Sequence, residues 1–369
     1  MASWQSKQII LENGATATAQ CPVIVSASRS TDIPAFYADW FFHRLKVGYS
    51  AWTNPFNGVK SYVSYQNTHF IVFWSKNPKP LLEHLDELKE RNIGCYIQYT
   101  LNDYVKEGLE KGVPALDERI DTFKRLVDKL GKGRVIWRFD PLILTDKIGL
   151  DDLLRKVENI GDQLLGYTEK LVFSYADIAL YKKVKANLEK SHVNYQEWTT
   201  NQMEEFAQRL SELNQKWHYQ LATCGEKIDL EPYGIRHNRC VDDDLIIRFA
   251  HHDKVLMDFL GVEIKQTLFG EEIIKKKDNR DKGQRQFCGC MVSKDIGEYN
   301  TCPHLCEYCY ANASKEKAQE NYKKHKMNPL GEMITGEILP INTFSRFSEE
   351  FFHSNSTSFC TFVRKKKKY

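Results

Sequence analysis

Ten cysteines occur in the chain, and five of them lie within the 22 residues from Cys288 to Cys309. Three of these, Cys302, Cys306 and Cys309, form the pattern C-x-x-x-C-x-x-C in the stretch CPHLCEYC. Thiolate sulfur is the usual protein ligand of iron–sulfur clusters and of structural zinc. Structural zinc normally takes four ligands, whereas this loop supplies three thiols. Three thiolates can bind three irons of a [4Fe–4S] cluster and leave the fourth iron open to another ligand.

The three-cysteine loop resembles that of the radical S-adenosylmethionine (SAM) enzymes. In that superfamily SAM binds the open iron, an electron enters, and SAM splits to a 5′-deoxyadenosyl radical. An aromatic residue commonly precedes the last cysteine there, and Tyr308 does so here. The resemblance implies a [4Fe–4S] cluster, SAM with Tyr308 among the cofactor-binding residues, and an electron donor such as flavodoxin or ferredoxin. The alternatives are zinc, with His304 as a further ligand, and thiols without a metal.

Four other cysteines lie between the last clear strand and this loop. Cys288 and Cys290 form C-G-C, while Cys224 and Cys240 end the stretches LATC and YGIRHNRC. With the loop they make seven thiols, the number that one open cluster and one fully ligated auxiliary [4Fe–4S] cluster require. The alternative is that Cys224 and Cys240 are small buried apolar residues. We assign no chemistry to the remaining cysteines, Cys21, Cys95 and Cys360.

The elements that must position these thiols can be read from apolar runs. Short buried-strand patterns occur at 22–28, 48–52, 69–75, 94–101, 134–144, 170–176 and 217–224. They are apolar nearly throughout, which suits a parallel sheet covered on both faces. Helical patterns lie between most of them, at 78–92, 115–131 and 199–217, the last with a capping box of Thr199 and Gln202. Such alternation is typical of a βα barrel or of an open doubly wound sheet. Because it approaches eight repeats and no G-x-G-x-x-G follows the first strand, we predict a TIM-like βα barrel, complete or partial.

The chain divides into three parts by pattern. Residues 1–224 are predicted to form the barrel, and 225–340 a cysteine-rich iron–sulfur segment packed on it. The second part contains a predicted helix near 243–260, a lysine-rich loop and a helix near 312–325. Residues 341–369 are rich in Ser and Phe without a clear period, which predicts a poorly ordered tail.

Composition favours a soluble protein of the cytoplasm. No apolar run approaches a membrane span, and the first residues lack the pattern of a signal peptide. Cytosolic thiols stay reduced, so many cysteines there indicate metal binding or catalysis rather than disulfides. The net charge of +3 does not indicate nucleic-acid binding. The basic runs at 315–327 and 364–368 are interpreted as solvated surface or tail.

Several stretches resemble a bacterial family, the domain-of-unknown-function family eighteen forty-eight. They are SASRSTDIPAFYADWFFHRLKVGY, NPFN, IVFWSKNP, WRFDPLILT and CGCMVSKDIGEYNTCPHLCEYCYAN, spread over roughly residues 20–335. That family is described as carrying a C-terminal cysteine cluster like that of radical SAM proteins. It has no established reaction, so the resemblance implies the cluster and little else.

The position of the cysteine loop departs from the usual radical SAM order. In typical members the loop follows the first barrel strand, whereas here it follows the last. Because a barrel closes on itself, the position after strand eight lies beside strand one. We therefore predict a permuted order in which VIVSASRSTDIP runs beside the cluster and can contact SAM.

Polar residues follow the predicted strand ends, where barrel active sites form. They are Arg29, Asp32, Asn54, Asn57, Lys76, Asn77, Gln98, Asn102, Arg138, Asp140, Ser174 and Asp177. Arg29 or Arg138 is predicted to hold a carboxylate of SAM or substrate through forked hydrogen bonds. Asp140 or Asp177 is a candidate for a ribose hydroxyl pair, and Asp32 and Ser174 are grouped with them as cofactor-binding residues.

Each of these residues also has a structural interpretation. Asn54, Asn77 and Asp140 precede prolines and can simply shape turns. Arg29 and Asp32 can pair with each other and order their loop. As a set at strand ends, they favour a site.

Two functions fit these patterns. The first is a radical SAM-type enzyme acting on an unknown substrate, with nucleotide or nucleic-acid modification or repair as one class. The alternative is a non-enzymatic barrel in which a structural zinc or iron–sulfur knot supports binding of nucleic acid or protein.

Overall fold

Strands and helices alternate through the middle of the chain. The computed structural model describes residues 4–53, 58–268 and 270–336. Its strands are β1 (Ser6–Ile10), β2 (Thr16–Gln20), β3 (Ile24–Ala27), β4 (Tyr49–Thr53), β5 (Lys60–Ser64), β6 (Phe70–Ser75), β7 (Gly94–Thr100), β8 (Val135–Leu142), β9 (Leu144–Thr145), β10 (Lys170–Tyr175), β11 (Tyr195–Gln196), β12 (Gln220–Thr223), β13 (Arg236–His237), β14 (Val262–Thr267), β15 (Gly270–Lys275) and β16 (Lys294–Asp295). Its helices are α1 (Ile33–Phe36), α2 (Ala38–Val47), α3 (Leu85–Glu90), α4 (Leu116–Leu130), α5 (Leu150–Gln163), α6 (Lys182–Lys190), α7 (Thr200–Asn214), α8 (Asp243–Ala250), α9 (Lys254–Leu260) and α10 (Lys315–Met327).

Eight strands form one large sheet in the order β13-β12-β10-β8-β7-β6-β3-β16. Every neighbouring pair in it is parallel. The chain is therefore of the α/β class, as predicted. The last strand of the sheet along the chain pairs with the first, because Lys294 and Asp295 of β16 lie opposite Val25 and Ser26 of β3. The cysteine loop follows β16 and is thus delivered beside the first strand.

The sheet is open at its edges in the part of the chain that the structure describes. Its edge strands, β13 and β16, are paired with β12 and β3 but not with each other. The segments next to the two edges nevertheless meet, since Met291 N donates to Val241 O at 3.0 Å. The structure therefore has the parallel sheet that the apolar runs predict, without a hydrogen-bonded closed barrel.

The predicted strand at 48–52 lies in a different sheet from the one expected. β4 pairs antiparallel with β5 in a four-stranded sheet of order β1-β2-β5-β4. Strand β1 is mostly exposed and carries no long apolar run. Without such a run, the rule that finds buried parallel strands misses β1, and it assigns the apolar β4 to the wrong sheet.

Side chains of the large sheet alternate between two cores. One face, with Val25, Ile71 and Phe73 among its residues, packs against helices α1 to α7. The opposite face, with Phe70 and Val72, packs against α8 and α9. We call this second face the inner face. Helices on both faces bury most of β3, β6, β7, β8 and β10, which explains the nearly continuous apolar sequences of these strands.

The inner face is covered by two short helices where the sequence predicts one near 243–260. Helix α8 ends at Ala250, and α9 begins after Asp253, whose carboxylate accepts from Leu256 N at 3.0 Å. The same carboxylate lies 2.6 Å from His69 Nδ1, just before β6. A cap inside the apolar pattern therefore splits the predicted helix.

The longer predicted helices are close to their expected bounds. Helix α4 ends at Gly131, and α7 opens with the predicted capping box, in which Thr199 N donates to Gln202 Oε1 at 3.0 Å. The pattern at 78–92 forms a 3₁₀ turn, Pro80–Glu83, followed by α3. None of the helices in the described residues is long and apolar enough to span a membrane.

The large sheet contains strands from both sides of residue 224, where the sequence predicts the end of the barrel. Strands β13 and β16, from the segment 225–340, stand at its two edges, and α8 and α9 cover its inner face. The predicted tail, 341–369, lies outside the described residues.

Candidate functional site

The thiols of the cysteine loop lie together at the carboxyl edge of the sheet. Cys306 is buried, and Cys302 and Cys309 are partly buried. Burial raises the pKa of Cys302 well above its ordinary value, and the nearby Asp32, Cys309 and Cys306 raise it further. The pKa of Cys306 is also raised by burial, against the charge of Lys76. The loop therefore presents three neighbouring thiols that are neutral without a metal.

The loop is seated on the segment that follows β7. Glu307 N donates to Leu109 O at 2.9 Å, and Gly112 N donates to His304 O at 3.1 Å. A Cβ atom on Gly112 would lie 2.6 Å from His304 O and 2.8 Å from Pro303 O. Gly112 thus allows a backbone approach that no other residue type permits at this point.

Asp32 joins the loop after β3 to the cysteine loop. Its carboxylate accepts from Ser75 Oγ at 2.7 Å, from Lys76 N at 2.7 Å and from His304 Nε2 at 2.8 Å. The other ring nitrogen of His304 lies 3.0 Å from Gly112 O. Both nitrogens of His304 therefore face oxygen atoms of the protein, which leaves neither for the zinc that the sequence allows.

Tyr308 is held in a buried polar network. Its hydroxyl donates to Glu110 and accepts from Lys76 Nζ at 2.9 Å and from Asn102 Nδ2 at 3.1 Å. Burial raises the pKa of Tyr308 well above its ordinary value. Lys76 lies 2.7 Å from Glu110 and lowers the pKa of that carboxyl against the effect of burial. The ring next to Cys309 is thus fixed by charge-assisted hydrogen bonds.

A second group of thiols lies near the two edges of the sheet. Cys224 Sγ is 3.3 Å from Cys240 Sγ, and Cys240 N donates to Cys290 Sγ at 3.3 Å. Hydrogen bonds from Cys290 lower the pKa of Cys288 to about 7. The fold therefore brings together the four cysteines that the sequence groups as an auxiliary ligand set.

Arg138 connects this thiol group to the ends of β8 and β10. Its Nη1 donates to Gln98 Oε1 at 3.1 Å and to Cys240 Sγ at 3.0 Å, and its Nη2 to Asp140. Ser174 Oγ also donates to Asp140. The guanidinium fork of Arg138 and both carboxylate oxygens of Asp140 are therefore occupied within the protein.

Asp295, which the sequence does not single out, organises the loop after β3. It accepts from Ser28 Oγ at 2.8 Å, from Ser30 Oγ at 3.1 Å and from Arg29 N at 2.8 Å. Arg29 pairs with Asp295, Nε to Oδ2 at 3.6 Å, and not with Asp32. Their side chains are 25% and 26% exposed, so this pair reaches solvent.

The remaining predicted residues take local roles. Asp177 is exposed and lies apart, with its carboxylate accepting from Leu180 N at 3.3 Å. Asn102 Oδ1 accepts from Asp140 N at 2.9 Å and so ties the segment after β7 to the carboxyl end of β8. Asn77 lies in the turn after β6, where its backbone N donates to Ser75 Oγ at 2.9 Å. Two further predicted positions, Asn54 and Asn57, lie outside the described residues.

Two more charged residues lie near Cys224 and Asp140, and no pattern in the sequence identifies them. Glu226 accepts from Tyr175 N at 3.0 Å, and burial raises its pKa to about 8. Arg285 donates to Tyr181 Oη and packs on Gly225, where a Cβ would meet the guanidinium at 2.5 Å. Both come from loops that are far apart in the sequence, so only the fold shows that they are neighbours.

An open cleft of about 570 Å³ adjoins the cysteine loop. It is lined by Leu180, Tyr181, Lys182, Lys183, Tyr299, Asn300 and Tyr310. Lys183 Nζ lies 5.0 Å from the centre of the Tyr299 ring, and the Tyr310 hydroxyl donates to Arg29 O. The cleft therefore places aromatic rings and ammonium groups between solvent and the site.

Comparison with known proteins gives one family. The model of a domain of unknown function (DUF1848) matches residues 24–311, which span the large sheet and both thiol groups. Searches of curated proteins and of solved structures gave no match. Since the matched region covers well over half of the sequence, the chain belongs to the DUF1848 family.

Proposed function

We propose that this chain is a radical SAM-type iron–sulfur enzyme. The observation that supports it most directly is that Cys302, Cys306 and Cys309 lie on one loop after β16, the strand that pairs with β3. Strand β3 is the first strand of the large sheet along the chain. Carboxyl ends of parallel strands are where α/β proteins form their active sites. When bound, an open [4Fe–4S] cluster with SAM would supply a 5′-deoxyadenosyl radical, using one electron from a donor such as ferredoxin or flavodoxin.

The donor set fits a cluster with an open iron better than a zinc site. Zinc in a structural site needs four ligands about 2.3 Å away, which brings the sulfurs within about 4 Å of one another. Among the described residues, one group of three carboxylate, imidazole or thiol side chains has its ligand atoms all within 4.8 Å of one another. That group is Asp242, Asp243 and Asp244, and it contains no thiol. The loop thiols are therefore spread more widely, and His304, the nearest further ligand type in the loop, is turned to Asp32.

Charged and polar groups of the chain partly offset the effect of burial, which raises the pKa of the loop thiols. Lys76 lowers the pKa of Cys306 against the dominant effect of burial, and Lys76 and Lys183 do the same for Cys309. Asn312 N donates to Cys309 Sγ at 3.3 Å. Hydrogen bonds and nearby cations of this kind stabilise metal-bound sulfur.

The polar contacts limit which residues remain for SAM. Arg138 and Asp140 bind each other, so the prediction that they hold a carboxylate or a ribose is less favourable than it is from sequence. Arg29 is partly exposed and paired at 3.6 Å, which leaves guanidinium hydrogens for a carboxylate. We assign the SAM carboxylate to Arg29 and treat Tyr308 as a residue that supports the loop.

The cleft suits a substrate with a planar group and an anionic group. Its tyrosines offer stacking faces, while Lys182 and Lys183 are exposed ammonium groups. Aromatic rings interleaved with cations are the usual means of holding nucleotides. We therefore propose a nucleotide or a nucleotide unit as the substrate.

Anaerobic purification tests the enzyme proposal. Wild-type protein should bind iron and sulfide and release 5′-deoxyadenosine from SAM with dithionite as reductant. Cys306→Ala should abolish SAM cleavage and lower the iron content by about four atoms per chain. Cys95→Ala, at a buried thiol remote from the loop, should retain both. Colourless wild-type protein with bound zinc and no SAM cleavage would exclude the proposal.

A further inference from the structure

We infer that Cys224, Cys240, Cys288 and Cys290 bind a second iron–sulfur cluster, of the [4Fe–4S] type, with a protein thiolate on every iron. This goes beyond the proposed function and stands on a separate set of residues. It requires neither SAM nor the three-cysteine loop.

The four thiols come from separate segments that the fold brings into a row. Cys224 follows β12, Cys240 follows β13, and Cys288 and Cys290 precede β16. Cys240 stands at the centre, with Cys224 Sγ at 3.3 Å and its own N–H directed at Cys290 Sγ at 3.3 Å. Cys240, Cys288 and Cys290 are each less than 10% exposed. Three buried thiols and the partly buried Cys224, from three segments, form a complete ligand set for a cubane cluster.

Cations surround this row. Arg138 donates to Cys240 Sγ at 3.0 Å from a side chain that is 3% exposed. Arg285 packs on Gly225, the residue after Cys224, where a Cβ would meet its guanidinium at 2.5 Å. Neutral buried thiols gain little from such neighbours, whereas a cluster with four thiolates carries a net charge of about −2 that they would balance.

Hydrogen-bond donors are also directed at the sulfur. Asn238 Nδ2 lies 3.2 Å from Cys240 Sγ. Asn238 is buried, and its Oδ1 has no hydrogen-bond partner among the described residues. N–H···S contacts of this kind are a common feature around iron–sulfur clusters and influence their potential.

The shape of the row distinguishes a cluster from zinc. A single zinc would draw its four sulfurs within about 4 Å of one another, since each Zn–S bond is about 2.3 Å long. In the described residues, no three of the four ligand atoms lie within 4.8 Å of one another. An extended row suits ligands that bind separate iron atoms.

Coordination of all four irons by cysteine thiolates would limit the chemistry that such a cluster can supply. With a thiolate on every iron, no iron would remain open for a substrate, so such a cluster would supply single-electron chemistry. Arg29 joins β16 to the cysteine loop: its N donates to Asp295 of β16 at 2.8 Å, and its carbonyl oxygen accepts from the hydroxyl of Tyr310, the residue after Cys309. Held by these four thiolates, a second cluster would supply single-electron transfer between a ferredoxin- or flavodoxin-type donor and the loop.

A variant that lacks the loop ligands isolates this site. The triple variant C302A/C306A/C309A, purified anaerobically and reconstituted with iron and sulfide, should retain about four irons and four sulfides per chain. Dithionite should reduce this cluster to a form visible by electron paramagnetic resonance. Adding Cys240→Ala should remove the iron, while adding Cys95→Ala should not.

Two results would overturn the inference: a folded triple variant without iron, or one that binds a single zinc at these thiols. Circular dichroism and a cooperative thermal transition establish that each variant is folded. Cys288→Ser provides a second test that preserves side-chain volume, and it should lower the iron content of the triple variant as Cys240→Ala does. Failure of the proposed function would appear differently, as wild-type protein that holds this cluster but does not cleave SAM.

Discussion

Most polar side chains at the site form hydrogen bonds with other protein groups. The carboxylates of Asp32 and Asp140, and the guanidinium of Arg138, have their hydrogen-bonding positions filled by protein groups. Buried charges are tolerated only when they are paired in this way. These residues therefore position the thiols, and the groups left to bind a ligand are the partly exposed ones, such as Arg29 and Lys183.

The buried Asp32–His304 pair should contribute measurably to the free energy of unfolding. Asp32→Asn keeps the size of the side chain but removes the charge that faces His304, and it presents an NH₂ group to donors. Leaving a buried hydrogen-bond donor without its acceptor costs about 1 to 3 kcal/mol. We expect a loss of about that size in the free energy of unfolding, measured by anaerobic urea denaturation.

The exposed Asp39–His84 pair provides the control for that prediction. It has the same residue types at 2.9 Å, but the side chain of Asp39 is 91% exposed. Asp39→Asn should change the free energy of unfolding by less than about 1 kcal/mol. Equal effects of the two variants would show that burial does not determine the contribution of Asp32.

At the scale of elements, the cysteine loop depends on the turn after β7. Gly112→Ala places a Cβ 2.6 Å from His304 O, a backbone atom that cannot rotate away. The loop must shift, at a cost of about 1 to 3 kcal/mol, and iron content and SAM cleavage should both fall. Gly149→Ser is the control, because a Cβ there meets nothing closer than 3.7 Å. Unchanged iron binding in Gly112→Ala would contradict the seating of the loop.

The cleft between α6 and the cysteine loop can be tested with a simple ligand. Adenosine monophosphate, titrated by calorimetry, should bind wild-type protein more weakly as salt is added. Lys183→Glu should weaken binding at least tenfold, because it replaces an attractive charge with a repulsive one, and Tyr299→Leu should weaken it through lost stacking. Lys185→Glu, on the same helix but outside the lining, makes the same change in net charge and should have little effect. Equal losses from the two lysine variants would count against the cleft as the binding site.

Sequence patterns predicted the strands and helices that have long apolar runs or long periodic apolar faces. The strands at the centre of the large sheet are apolar throughout, and α4 and α7 have periodic faces and clear ends, so their positions follow from local rules. Strands β13 and β16 are two residues long and are defined only by pairing, which no local pattern encodes. The grouping of the seven thiols follows from residue type, whereas the role of Asp295 depends on the pairing of β16 with β3 and could not be predicted from the sequence.

At the scale of the whole molecule, the last described residues contact residues in the first sixty of the chain. Gly331 O accepts from Trp40 Nε1 at 2.8 Å, and Glu332 lies 2.8 Å from both Tyr49 Oη and Lys60 Nζ. Together with the pairing of β16 and β3, these contacts make the segment after residue 224 part of the fold of the first 224 residues. We therefore expect the chain to unfold as one cooperative unit.

A fragment of residues 1–224 tests this expectation. On the inner face of the sheet, Phe70 and Val72 are fully buried, and their cover includes Leu256 and Leu260, which the fragment lacks. Because exposing such side chains costs about 1.5 to 3 kcal/mol each, the fragment should bind a hydrophobic dye and show no cooperative thermal transition. Co-expression with residues 225–369 should restore soluble protein with one transition. A fragment that unfolds cooperatively by itself would instead establish residues 1–224 as an autonomous domain, with the cysteine-rich segment merely attached to it.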